Sequence, residues 1–322
     1  MLGFDLALVL AINQIAAPTG PPPPAPIYGG TRVEPGEWPS AAAILHGSSL
    51  CSGTLVSERV VLTAAHCLLF VASPQELAVY FGDGSIYAPG APRALYDVVS
   101  YGRHPEYCSY SAECREDLYD FGYLVLDRDV EGVEPTRLLA HQDEWDQTMY
   151  LGAPITLVGF GFDEFAEEGV KRQVDVEIVG FSASRREFRA GGDGRDSCGG
   201  DSGGPAFVRL ENGEYILAGV TSRGFLDCGR GGFYGATYET LCWLSDATGV
   251  DFRPEACQTC DCLDPSPEAE RCGCVSGDAT GAVLGLILVI GARRRRRPLA
   301  GRQAVSLRGA VPLAVGDPRR ID

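Results

Sequence analysis

Nine short runs of apolar or alternating residues recur between clusters of Gly, Pro, Asp and Asn: Ala41–Leu45, Val60–Thr63, Leu77–Phe81, Tyr123–Leu126, Ile155–Phe160, Gln173–Val179, Pro205–Leu210, Tyr215–Ser222 and Gly232–Tyr238. Runs of four to eight residues, punctuated this regularly, are too short for a helical bundle and read as strands of an all-β sandwich or barrel. A single stretch, Glu239–Ala247, with Leu241, Trp243 and Leu244 as its apolar positions, reads as a helix closing that domain. The turns are supplied by 41 Gly and 21 Pro, and 45% hydrophobic against 22% charged residues is the balance of a globular chain. A length of 322 residues suits one large or two medium domains.

Twelve cysteines are more than a cytosolic protein of this size usually carries, so an oxidising compartment and export are expected. Leu6 to Ile12 followed by Ile15-Ala16-Ala17 has the apolar core and small-residue end of a secretory signal peptide over residues 1–17, although Asp5 stands where a basic residue normally precedes. Residues 18–26 hold six prolines and read as an extended pro-segment. Within residues 27–252 there are 34 acidic and 16 basic side chains, whereas residues 253–322 hold 8 acidic and 11 basic. An acidic main domain repels phosphate backbones, which argues against nucleic acid as a partner, and it draws in cationic substrates.

Acyl transfer from a peptide bond requires a nucleophile, a base, a carboxylate that orients the base, and amide donors for the oxyanion. Ser202 lies in Gly199-Gly200-Asp201-Ser202-Gly203-Gly204-Pro205, where flanking glycines allow a tight turn that exposes the hydroxyl and aims the N–H groups of Gly200 and Ser202 at one spot. His66 follows Leu62-Thr63-Ala64-Ala65 and precedes Cys67, and Asp120 heads the apolar run that ends at Leu126. Together these blocks resemble the trypsin-like (chymotrypsin-fold) serine proteases over residues 27–252, in the order His, Asp, Ser.

That resemblance implies two six-stranded antiparallel β-barrels with a C-terminal helix, the triad His66, Asp120 and Ser202 in the cleft between them, and the oxyanion donors Gly200 and Ser202. It implies that Ile27, in Ile27-Tyr28-Gly29-Gly30, becomes a new N-terminus whose ammonium pairs with Asp201, so that the uncut chain is nearly inactive. It pairs Cys51 with Cys67 and Cys198 with Cys228. It places Asp196 at the floor of the primary pocket, with Ser222, Gly224 and Gly232 along its walls, and so implies cleavage after Arg or Lys. Arg223 departs from the family's usual aromatic residue and has two courses open, solvent or Asp196. Cys108 and Cys114 are close enough in sequence to staple one loop. No cofactor and no metal are expected, and the partners are protein or peptide substrates and an unidentified activating protease, since Pro26–Ile27 is not a bond cut after Arg or Lys.

Plainer readings stand beside these. The same scaffold could be a catalytically silent binding or adhesion module. His46, His104 and His141 have no motif around them, and the acidic runs Asp143–Asp146 and Asp163–Glu168 read as solvated faces. Residues 253–278 form a Cys-rich stalk with Cys257, Cys260, Cys262, Cys272 and Cys274, which with Cys242 make six for disulfides; zinc ligation is the alternative. Residues 279–297, an apolar stretch of 14 residues followed by five arginines, resemble the C-terminal sorting tails of myxobacterial and related exported proteins, which implies membrane anchoring through the tail and a secreted or cell-surface location at a bacterial envelope. Residues 298–322 read as unstructured.

Overall fold

The computed structural model describes residues 27–265 apart from 84, 88–93, 110–113, 115–116, 226, 256 and 258–262. The signal peptide, the pro-segment, most of the Cys-rich segment, the apolar and arginine-rich stretch and the tail lie outside the described residues.

Among the described residues there are thirteen strands, twelve of which make two closed antiparallel barrels. The first uses β2 (Ala41–His46), β3 (Ser49–Leu55), β4 (Val60–Thr63), β5 (Leu77–Phe81), β6 (Ala94–Arg103) and β7 (Gly122–Leu126), closed in the order β2-β3-β4-β7-β6-β5. In the second, β8 (Pro154–Gly159), β9 (Arg172–Phe181), β10 (Glu187–Ala190), β11 (Pro205–Arg209), β12 (Tyr215–Gly224) and β13 (Gly232–Ala236) run β9-β10-β13-β12-β11-β8, and β8 pairs back to β9. The two-residue β1 (Thr31–Arg32) adds to the outside of β9. The alternating pattern drives closure: along β9, Val174, Val176 and Ile178 point into the core while Asp175, Glu177 and Val179 face out. Leu55, Val61, Val79, Leu124 and Leu126 fill the first barrel, and Leu157, Ile178, Phe207, Leu217 and Tyr234 belong to the core of the second.

Each of the nine expected runs falls on a strand, but β1, β3, β6 and β10 lay outside them. In β3 the sequence Ser-Leu-Cys-Ser-Gly-Thr-Leu is too small and polar to look like a strand, yet Ser52 and Thr54 are buried. In β6, exposed Leu95 and Val99 blur the alternation that Tyr96 and Val98 would otherwise show. The expected helix is found as a 3-10 turn, Thr237–Thr240, leading into α2 (Leu241–Thr248), which stops at Gly249 in the left-handed region (φ 76°).

The acidic runs are corrected. Residues Gln142–Thr148 form α1, whose buried Glu144 accepts the His141 N–H at 3.4 Å and pairs with Arg137 at 2.6 Å. Asp163 is buried too, against the guanidinium of Arg172 at 2.8 Å. Past residue 252 the chain rests on the domain: Leu263 joins the second-barrel core, and the Asp264 N–H reaches the Gln142 side chain at 2.7 Å. Among the described residues no helix is long and apolar enough to cross a membrane.

Candidate active site

The register of β4 against β7 builds the first half of the site. Thr63 at the end of β4 pairs with Gly122 at the start of β7, so the chain after β4 and the chain before β7 leave the same end of the barrel side by side. Gly122 is glycine where an added Cβ would meet Leu68 at 2.7 Å and the Ala64 carbonyl oxygen at 3.1 Å, which allows the His66 turn to sit against β7. Asp120, 3% exposed, then accepts from the His66 backbone N–H at 2.9 Å and meets His66 Nδ1 at 2.7 Å. The oxygen that meets Nδ1 orients the ring so that Nε2 is left for other work.

A second-barrel residue completes the hold. Ser222, on β12, donates its Oγ–H to Asp120 Oδ2 at 2.7 Å across 102 residues. Sequence reading assigned Ser222 to the substrate wall; its side chain also anchors the carboxylate. Nothing in the local pattern of Thr221-Ser222-Arg223-Gly224 distinguishes the two roles.

The turn that carries Ser202 is clamped between the barrels. The Ser202 carbonyl accepts the Ser52 N–H at 2.8 Å, Ser52 Oγ donates to the Gly200 carbonyl at 3.0 Å, and the Gly203 N–H reaches the Thr221 carbonyl at 2.8 Å. Gly203 has φ 81°, and an added Cβ would strike Thr63 Oγ1 and lie 2.5 Å from the Ser52 carbonyl oxygen. Only glycine brings the turn this close to the strand that leads to His66. Among the described residues the N–H groups of Gly200 and Ser202 have no acceptor, which leaves them free for an oxyanion. The Cys51–Cys67 and Cys198–Cys228 bridges are both formed, as is Cys108–Cys114. Cys242 and Cys257 are also disulfide-bonded. Cys51, His66 and Cys67 bring three donor atoms together, but the two sulfurs are spent on each other and hold no metal.

Asp196 is 1% exposed and its Oδ1 takes the Ser197 N–H at 2.7 Å, whereas Oδ2 is buried without a hydrogen bond among the described residues. Burial pushes this carboxyl up to about 6 against the pull of nearby backbone amides, that of Ser197 first. Gly232 faces it, since a Cβ there would lie 3.2 Å from Asp196 Oδ1, and a Cβ on Gly224 would meet open space. The two courses open to Arg223 are both overtaken. Its guanidinium makes two bonds to buried Glu187, at 2.9 and 2.6 Å, and lies 4.4 Å above the Phe233 ring. Glu187 is 36 residues away and on another strand, so no spacing signal pointed to it.

Asp201 is buried beneath this turn, where its oxygens accept N–H groups from Gly161 at 2.7 Å and Cys198 at 2.8 Å. Ile27 is buried as well, and the next residue, Tyr28, accepts the Asp196 N–H at 2.9 Å. The N-terminal segment of the domain thus pairs beside Asp196.

The family model described as Trypsin matches residues 27–244. Among similar proteins, Spermosin of Halocynthia roretzi is 28% identical over 259 residues, covering 68% of this chain and 61% of its own length. Transmembrane protease serine 9 of Rattus norvegicus is 29% identical over 224 residues, covering 65% of this chain and 20% of its own length. The chain therefore spans less than two thirds of either curated relative. With two closed barrels, His66 held by a buried aspartate, a glycine-flanked serine and a family match across most of its length, this chain belongs to the trypsin family.

Proposed function

We propose that the chain is a serine endopeptidase that cuts peptide bonds after Arg or Lys. Ser202 Oγ attacks the carbonyl carbon while His66 Nε2 takes its proton; Asp120 fixes the ring tautomer and offsets the imidazolium charge. The oxyanion rests on the N–H groups of Gly200 and Ser202. Collapse of the tetrahedral species breaks the C–N bond, and the proton on His66 goes to the departing amine. Water then repeats the sequence on the acyl-enzyme and returns Ser202 to its hydroxyl form.

The observation that supports this most is the buried Asp120 carboxylate, which accepts from His66 twice and from Ser222 once, an arrangement of little use to a protein that only binds. For specificity, the support is the unpaired Asp196 Oδ2, on a carboxylate with Gly232 beside it, and Arg223 engaged on Glu187 and so not neutralising it. We further read Ile27 as the N-terminus of the active form, freed by an enzyme that cuts after proline and able to bring an ammonium to Asp201. Export and anchoring through the tail complete the reading, supported by the cysteine content and the order of the C-terminal residues.

A fluorophosphonate probe tests the chemistry. After removal of residues 18–26 it should label the chain at Ser202, and Ser202→Ala should lose labelling together with at least three orders of magnitude of turnover, about 4 kcal/mol or more. Undiminished peptidase activity in Ser202→Ala would overturn the assignment.

A further inference from the structure

The three residues before Asp120 carry unusual backbone. Asp117 has φ 57° and Tyr119 φ 46°, two non-glycine residues in the left-handed region on either side of Leu118. Such conformations persist only where the surroundings hold them, and they tend to gather where geometry matters. Here the holding groups come from the other barrel. Ser182 and Ser184, in the turn between β9 and β10, donate to Asp117 Oδ1 at 3.1 and 2.6 Å. Glu187, at the start of β10, accepts the Leu118 N–H at 3.0 Å on Oε1.

Glu187 has a second engagement. Its two oxygens take both terminal nitrogens of Arg223, the residue after Ser222. One buried carboxylate thus ties together the two backbone segments from which Asp120 is held: Leu118, two residues before it, and Arg223, one residue after the serine that donates to it. Phe233 on β13 supports the guanidinium from below, so the fork cannot turn away without losing that ring contact.

We infer that Glu187 is a positioning residue for the His66–Asp120 pair, acting through Leu118 on one side and through Arg223 and Ser222 on the other. It touches neither substrate nor the reacting atoms. This rests on the peptidase reading given above. Loosening the staple lets Asp120 drift from His66, which weakens base catalysis and destabilises the imidazolium. The effect falls on kcat more than on KM, and the acid limb of the rate profile moves to lower pH because His66 protonates less readily. Among the described residues the carboxylate in ion-pair contact with His66 is Asp120, and the neighbouring Cys51 and Cys67 are joined to each other, so a moved limb reports on Asp120.

The test compares wild type, Glu187→Gln and Glu187→Ala on one Arg-containing peptide substrate, with rates normalised to active sites titrated by a burst reagent. Glutamine keeps an acceptor for Leu118 but loses the ion pair; alanine loses both. The expected order of kcat is wild type, then Gln, then Ala, with a total fall of about ten- to a hundredfold and a stepwise downward move of the acid limb. An unchanged kcat and limb in both variants would overturn the proposal, as would a rise in KM alone, which would make Arg223 a contact for substrate. Ser202→Ala, run alongside, separates the two failures: activity surviving there refutes the peptidase reading, whereas activity lost there but intact in both Glu187 variants refutes only the staple.

Discussion

Asp196 and Asp201 stand five residues apart, both buried and both with carboxyls raised by that burial, and the proposed function gives them different cations. For Asp196 the proposed cation arrives with the substrate. Below about pH 6 the empty pocket holds a neutral acid, so KM for an Arg substrate should climb as pH falls through that value, apart from any fall in kcat due to His66. Asp196→Ser should abolish the climb, lower kcat/KM on Arg by several kcal/mol, roughly a thousandfold, and turn preference toward apolar residues. KM measured against pH in both proteins checks it, and a wild-type preference for Phe or Leu would refute the pocket assignment.

For Asp201 the cation we propose is the chain's own Ile27 ammonium. Burial pushes its carboxyl up to about 7, opposed by the amides of Cys198 and Gly161. A carboxyl raised in the folded state holds its proton more tightly folded than unfolded. Its stabilisation is therefore full below the ordinary value near 4 and is lost as pH rises toward 7, a change of about 4 kcal/mol in the untrimmed chain. A free Ile27 ammonium beside Asp201 would cancel that loss. Melting curves from pH 4 to 8, with and without residues 18–26, should diverge as pH rises, the trimmed form being the more stable; parallel curves would count against Asp201 as the ammonium's partner.

At the scale of elements, the site is a product of register. Thr63 opposite Gly122 sets His66 beside Asp120, and β12 delivers Ser222 to the same carboxylate. Gly203→Ala tests how tightly the nucleophile turn is pressed against β4: with φ 81° and backbone within 2.5 Å of the new Cβ, it should cost several kcal/mol and remove probe labelling, seen by denaturant unfolding. The blocks around His66, Asp120 and Ser202 were legible because each is local, a few residues whose spacing carries the chemistry. Strands such as β7 and β9 were legible from their alternation. What could not be read was whatever depends on a distant partner. Glu187 for Arg223, Ser222 for Asp120 and Arg172 for Asp163 are each fixed by tertiary closure, not by neighbours in sequence. The strand β3 hid for a related reason, since the Ser52 side chain finds its partners, Gly200 and Phe160, only across the cleft.

At the scale of the whole molecule, both sheets close on themselves, and the one added strand, β1, is two residues long. Among the described residues, closure leaves no long unpaired strand edge for another chain to pair with or for a peptidase to draw into its cleft. Loops remain the vulnerable parts, and residues 162–170, with Phe165 69% exposed, form such a loop. That loop contains no Arg or Lys, and the two basic residues that follow it, Lys171 and Arg172, are each 1% exposed, one bonded to the Trp38 carbonyl and the other to Asp163. An enzyme that recognises basic side chains would find none to grip in this loop of its own copies. Concentrated samples should therefore age slowly, and mass spectrometry of the fragments should place self-inflicted cuts at exposed arginines such as Arg32, Arg59 or Arg128, and none after residue 171 or 172. On the proposed specificity, burial of the only lysine of the sequence against the barrel keeps that residue out of reach of other copies of the enzyme.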